Sequence, residues 1–180
     1  MIPDPINILS KSGLLNNCNE TSSACQAKTI TREEAAAIVV IAGQLPLDAP
    51  NAYSDDDQSV YQKAINAVPY YGMNKCIGGP FQFQPSEPVF RDQFACMVIK
   101  SIKAGSTTEL SGSTDKYSDE GASKWTNEIN ILAANDVIPS CSSIQVRCHN
   151  INSLSNRLQS WHIYFVVLQT SDLRAPCRYI

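Results

Sequence analysis

The chain has 180 residues, an apolar fraction of 43% and a formal net charge of −3. That suits one domain, or three small units sharing one core. With a pI near 5.3, it lacks the broad basic surface that nucleic-acid binding requires. Its best candidate for a membrane span, Ile163 to Leu168, is far too short for one and reads as core.

In chain order, a first helix is expected from about Pro5 to Ser12, stopped by Gly13. A cysteine-bearing loop follows. Thr31-Arg32-Glu33-Glu34 then opens a helix from Arg32 to about Gln44. Thr31 at the N-cap and Glu34 at N3 form a capping box, each satisfying a backbone N–H that the helix start leaves unpaired. Leu45 to Ala52, with Pro46 and Pro50, is a linker. Asp56, Asp57 or Ser59 can cap the next helix, expected from about Val60 to Tyr70, with Pro69 in its last turn and Gly72 ending it. A loop from Cys76 to Pro88 leads to a helix from about Phe90 to Lys103. Ala104 to Lys116, rich in Ser, Thr and Gly, is a linker. A helix from about Ser123 to Asn135, a second cysteine loop and a final helix from about Ser155 to Thr170 complete the pattern. The short Tyr-Ser-Asp segments are extended turns or single strand pairs, and the rest is α.

These elements repeat. Ile6-Asn7-Ile8-Leu9 returns as Ile65-Asn66-Ala67-Val68 and as Ile129-Asn130-Ile131-Leu132. Seven residues after each Ile stands Gly13, Gly72 or Asp136, and soon after that Cys18, Cys76 or Cys141. An Arg then opens the second helix: Arg32, Arg91, Arg157. Tyr53-Ser54-Asp55 and Tyr117-Ser118-Asp119 precede the second and third copies, each Asp followed six residues later by an aromatic, Tyr61 or Trp125. A period of about 60 residues with matched landmarks predicts three stacked helix–loop–helix units. Their spans are 1–45, 53–103 and 117–172, with a tail at 173–180.

Cys18 and Cys25 are seven residues apart, as are Cys141 and Cys148, at the same place in their copies. That coincidence predicts two local disulfides, in a spacing unsuited to CxxC zinc or redox sites. Cys96 is the natural partner of Cys76, which leaves Cys177 as a free or intermolecular thiol. Pairing of Cys177 with Cys76 or Cys96 stays open, because sequence does not fix connectivity. A disulfide framework implies an extracellular, secreted or surface location. Asn19-Glu20-Thr21 is a glycosylation sequon at Asn19 within the first cysteine loop.

The order of landmarks resembles that of surface-layer homology repeats: F-x-D, then W-A, an apolar helix ending in Gly, G-x-F-x-P, and an I-T-R-A-E helix. The second copy carries Tyr53-Ser54-Asp55, Tyr61, Gly72, Phe83-Gln84-Pro85, Glu87 and Val89-Phe90-Arg91-Asp92-Gln93-Phe94. The first carries Ile30-Thr31-Arg32-Glu33-Glu34, and the third Tyr117-Ser118-Asp119, Trp125 and Arg157. The resemblance covers roughly residues 5 to 172. It implies a mostly α fold with little β, a three-pronged spindle of pseudo-threefold symmetry. It also implies a non-catalytic module that attaches to cell-wall or surface polysaccharide, often acidic and pyruvylated, with no cofactor. Arg32, Arg91 and Arg157, with loop residues such as Gly79 and Phe81, are its implied carbohydrate contacts. Asp55 and Asp119 are its implied turn or cap residues. The chain departs from the pattern where Phe90 and Asn156 replace the capping Thr and Gln93 and Gln159 replace the Glu.

Each Arg has two readings. Its guanidinium can present a planar fork to a sugar carboxylate, or it can pair with a carboxylate of another copy. Tyr61 and Trp125, in helical register beside Ile65 and Ile129, read as core rather than as sugar platforms. Enzyme chemistry finds no footing: His149 and His162 match no nucleophile–base arrangement or metal triad. Glu33 and Glu34 are adjacent on a helix and point about 100° apart, which does not suit a glycosidase pair. Beside wall attachment stands a second class, a structural subunit of a sheath, filament or coat built from copies of the chain. Few charges (17%) and an odd cysteine favour it. A secreted effector or inhibitor on the same scaffold is a third.

Overall fold

The structure, a computed structural model, describes residues 29–77, 81–105, 110, 112 and 123–135. These residues are mostly helical, and no sheet forms among them. The helices are α1 (Arg32–Ala42), α2 (Gln62–Tyr70), the short α3 (Asn74–Ile77), α4 (Arg91–Gly105) and α5 (Thr126–Ala134). α1 packs on α2, α4 packs on α5, and α1 also meets α4. Ile38, Ile65, Met73, Phe83, Phe94, Met97, Ile99, Ile129 and Leu132 are fully buried in one shared core.

The expected capping box forms at α1. Thr31 Oγ1 accepts from Glu34 N–H at 3.3 Å, and Glu34 Oε2 accepts from Thr31 N–H at 3.0 Å. At α4 the residue at the cap is Phe90, which has no hydroxyl. Half of the device survives, because Gln93 Oε1 accepts from Phe90 N–H at 3.1 Å. An amide serves here as well as a carboxylate, since what the helix start lacks is an acceptor.

Helix ends differ from the sequence expectation in an instructive way. α1 stops at Ala42, two residues earlier than expected. Gln44 N–H bonds to Ile41 O and Leu45 N–H to Val40 O, the paired bonds of a Schellman ending. The left-handed residue in it is Gln44, at φ 52°, not the adjacent glycine. Gly43 answers a different need, because a Cβ there would lie 2.3 Å from Ser101 Oγ on α4. Ser101 donates that hydroxyl to Val39 O, so α1 and α4 meet backbone to side chain. α2 ends by the same pair of bonds, Gly72 N–H to Pro69 O and Met73 N–H to Val68 O, and here glycine does take the positive φ, 71°.

α2 begins at Gln62 rather than Val60, and α4 runs on to Gly105. Cys76 lies within α3 and not in a loop. The expected Cys76–Cys96 disulfide is present and ties α3 to α4. The repeated Ile-Asn pair has a structural reason. Ile65 and Ile129 are buried in the core, and Asn66 and Asn130 are each 7% exposed. Asn66 Oδ1 accepts from Ala52 N–H at 3.0 Å and so holds the linker against α2. The pairs Cys18–Cys25 and Cys141–Cys148, the thiol Cys177 and the sequon at Asn19 lie outside the described residues.

The junction between the first two copies as candidate site

Among the described residues, the sequence-expected site residues gather where the start of α1 meets the loop that precedes α4. The chain before α1 pairs with that loop through an antiparallel bridge, Thr31 to Pro88. Arg32 N–H donates to Glu87 O at 2.8 Å, Glu33 N–H to Pro85 O at 3.1 Å, and Val89 N–H to Ile30 O at 3.2 Å. Of the two readings of the Tyr-Ser-Asp segments, extended turn or single strand pair, Tyr53-Ser54-Asp55 makes no strand pair, and Tyr117-Ser118-Asp119 lies outside the described residues.

Arg32 follows the structural reading as far as its partners go, though not through a carboxylate. Its Nη1 donates to Gln84 Oε1 at 2.7 Å and to Phe83 O at 3.2 Å, both from the next copy. Its Nε is buried with no hydrogen-bond partner. Asp55 works from the other side of the same loop. Its Oδ1 accepts from Phe83 N–H at 2.9 Å and its Oδ2 from Gln84 N–H at 2.8 Å. It is thus a loop clamp, the turn or cap role the resemblance implied for it. Gln84 sits at φ 57°, a region disfavoured for a side-chain-bearing residue, and the bonds from Arg32 and Asp55 hold it there. Phe83 is 0% exposed, its ring 5.3 Å from that of Tyr53. Tyr53, buried beside Asp55 and Asp56, has its phenol pushed up to about 12, by burial first and then by the two carboxylates. Two residues before the clamped Phe83–Gln84 pair, Phe81 is 79% exposed.

A second hydrogen-bonded unit occurs twice. Ser59 Oγ donates to Glu33 Oε2 and accepts from Tyr61 N–H at 3.1 Å. Ser123 Oγ donates to Asp92 Oδ2 at 2.9 Å and accepts from Trp125 N–H at 2.9 Å. In each case the acid follows the helix-opening Arg and the serine stands two residues before the aromatic at the matched position, Tyr61 or Trp125. Sequence reasoning offered Ser59 as a cap but did not connect it to Glu33, 26 residues away. The matched spacing of Ser123 and Trp125 carried the signal. Tyr61 and Trp125 are half-buried and packed against the core, as expected.

Arg91 stands half-buried at the start of α4. Arg157 and Gly79 lie outside the described residues, and of the rest Arg32 meets the loop that carries Phe81. Beside this junction an open groove of about 360 Å³ runs between α1 and α2, lined by Ala37, Ile41, Leu47, Val60, Tyr61 and Lys63 among others. Among the described residues no cluster of His, Cys, Asp or Glu can hold a metal ion, and no helix is long and apolar enough to cross a membrane. Comparison with protein-family models and with curated proteins finds no match for this chain.

Proposed function

We propose that the chain is a non-catalytic extracellular attachment module that binds acidic polysaccharide, on a three-pronged, three-copy helical scaffold resembling surface-layer homology domains. One observation carries the reading. Two successive junctions share one hydrogen-bonded plan, and the first sets a helix-opening guanidinium against a clamped loop bearing an exposed aromatic. An exposed aromatic ring can stack on a sugar face, and an Arg fork matches a carboxylate or ketal acid. Since Arg32 is already engaged by Phe83 and Gln84, Phe81 is the better ligand candidate at this junction, with Arg91 the helix-opening guanidinium of the next copy. On an array of acidic and pyruvylated saccharides, the protein binds selectively. Phe81→Ala and Arg91→Ala each weaken that binding about tenfold or more, with unchanged circular dichroism. Folded protein that retains no saccharide, or variants that bind as wild type does, ends this reading.

A second reading, self-assembly into an extracellular structure, has its own observation. Ile41, Leu47 and Val60 line the groove and are exposed, Val60 by 74%. Matching Arg32 with Arg91 and Ser59 with Ser123 puts Lys100 at the place of Ile41 and Lys124 at the place of Val60. The repeated backbone therefore tolerates charge at both positions, and the apolar pair is not a demand of the fold. If copies associate here, sedimentation shows concentration-dependent oligomers that Ile41→Lys with Val60→Lys abolishes while the helical content stays. A monomer at all concentrations would remove this reading.

A further inference from the structure

The segment that links the two copies contains a group that none of the contacts above uses. Asp56 lies in the acidic run Asp55-Asp56-Asp57, whose outer members are occupied. Asp55 holds the Phe83–Gln84 loop, and Asp57 accepts from the Gln62 side-chain amide at 3.1 Å. Asp56 is 0% exposed, and neither of its carboxylate oxygens has a hydrogen-bond partner. A buried carboxylate without partners is among the least favourable groups a fold can contain, unless it carries its proton.

The charges around it do not relieve it. Asp57 and Asp55 both oppose its ionisation, and the nearby Gln62 amide, whose hydrogen bond goes to Asp57, and the Asp56 backbone N–H offset the burial only in part. Tyr53, packed on the same segment, stays a neutral phenol. Of the charged groups that α1 brings to the junction, Arg32 is engaged by Phe83 and Gln84, and Glu33 by Ser59. From α2, Lys63 is exposed to solvent. The net result is a carboxyl held above its ordinary value of 3.8, by burial first. The third copy also writes an acid at this place, Glu120 after Tyr117-Ser118-Asp119.

The geometry around it gives the group leverage. The segment 53–59 contains Asp55, which clamps the loop, and Ser59, which ties Glu33 to the start of α2. Asp56 sits between them, and its backbone O accepts from Ser59 N–H at 2.9 Å. We propose that the 53–59 segment is a pH-sensitive latch across this junction, shut while the buried Asp56 carboxyl carries its proton and loosened when it ionises. The sign follows from linkage. The folded chain holds this proton at pH values where the unfolded chain has released it. Its stabilising effect is complete near the ordinary carboxyl range and is lost as pH rises through the raised value. That is opposite to the usual aspartate, whose partners stabilise the fold above its pKa.

The test is thermal unfolding of the full chain, disulfides intact, across pH for wild type and Asp56→Asn. The amide keeps the shape and cannot ionise. The two are expected to melt together near about pH 4, and Asp56→Asn to melt roughly 4–8 °C higher at about pH 8. Hydrogen exchange at the Phe83 and Gln84 amides should slow in Asp56→Asn at the higher pH, relative to wild type. Parallel melting profiles for the two proteins would overturn the proposal, as would a lower melting point for Asp56→Asn at both ends. Should Asp56→Asn not fold, the carboxyl carbon of Asp56 is followed by NMR in wild type. A midpoint above the ordinary aspartate range supports the latch, and one at or below it ends it.

Discussion

Phe83→Ala is expected to lower the stability of the chain by about 3–5 kcal/mol, the largest effect of any single truncation here. The ring is wholly buried, meets Tyr53 and belongs to a loop whose backbone is held by Arg32 and Asp55. Truncation removes the transfer energy of the ring and leaves a cavity beneath a clamped loop. The loop cannot collapse into that cavity without breaking charge-assisted bonds. Phe83→Leu should restore more than half of the loss, since it refills most of the volume. Equilibrium urea unfolding followed by circular dichroism measures both variants. A Phe83→Ala cost under about 1 kcal/mol would mean that the loop collapses freely and that the clamps contribute little.

Replacing both Cys76 and Cys96 by Ala should cost about 3 kcal/mol, mostly by freeing the unfolded chain across a sequence separation of 20. Alanine is the suitable replacement, because the two cysteines are 2% and 0% exposed and a serine hydroxyl would be left unsatisfied. The burial adds a kinetic expectation. A reductant reaches these sulfurs only when α3 lifts from α4, so native protein should resist dithiothreitol until a fraction of it opens. Denaturation midpoints of wild type, reduced wild type and the double variant test this together. Reduced wild type and the variant should coincide. If the variant instead matches the oxidised protein, the crosslink adds nothing and the packing of α3 on α4 suffices.

The helices were legible because their signals are local. The Thr31–Glu34 capping box, the Gly72 stop and the Ile-Asn pairs each need only a few neighbouring residues to act. The Cys76–Cys96 bond was legible for a different reason, since the middle copy offered few other partners. What could not be seen depended on contacts 26 to 62 residues apart. Gly43 looks like a helix stop, but its lack of a Cβ serves the approach of Ser101 from α4. Arg32 was expected to meet either a ligand or a carboxylate, and instead meets a carbonyl and an amide on a loop whose backbone is set by Asp55. Asp56 is the clearest case. The sequence offers Asp56 as a cap for α2, but its carboxyl makes no cap bond and lies buried. Only the packing of copy upon copy turns it inward while its neighbours find partners.

The packing of α1 on α2 and of α4 on α5 bears on how such a chain can grow or shrink. The stretch of sequence that is duplicated and the pair of helices that bury one another are out of phase by half a copy. In the described residues, the second helix of the first and of the second copy, α1 or α4, packs on the first helix of the copy that follows, α2 or α5. Neither half can be retained alone without exposing Ile38 or Ile65. A truncation at the written boundary between the first two copies, between residues 45 and 53, would therefore cut through a packed helix pair rather than between two.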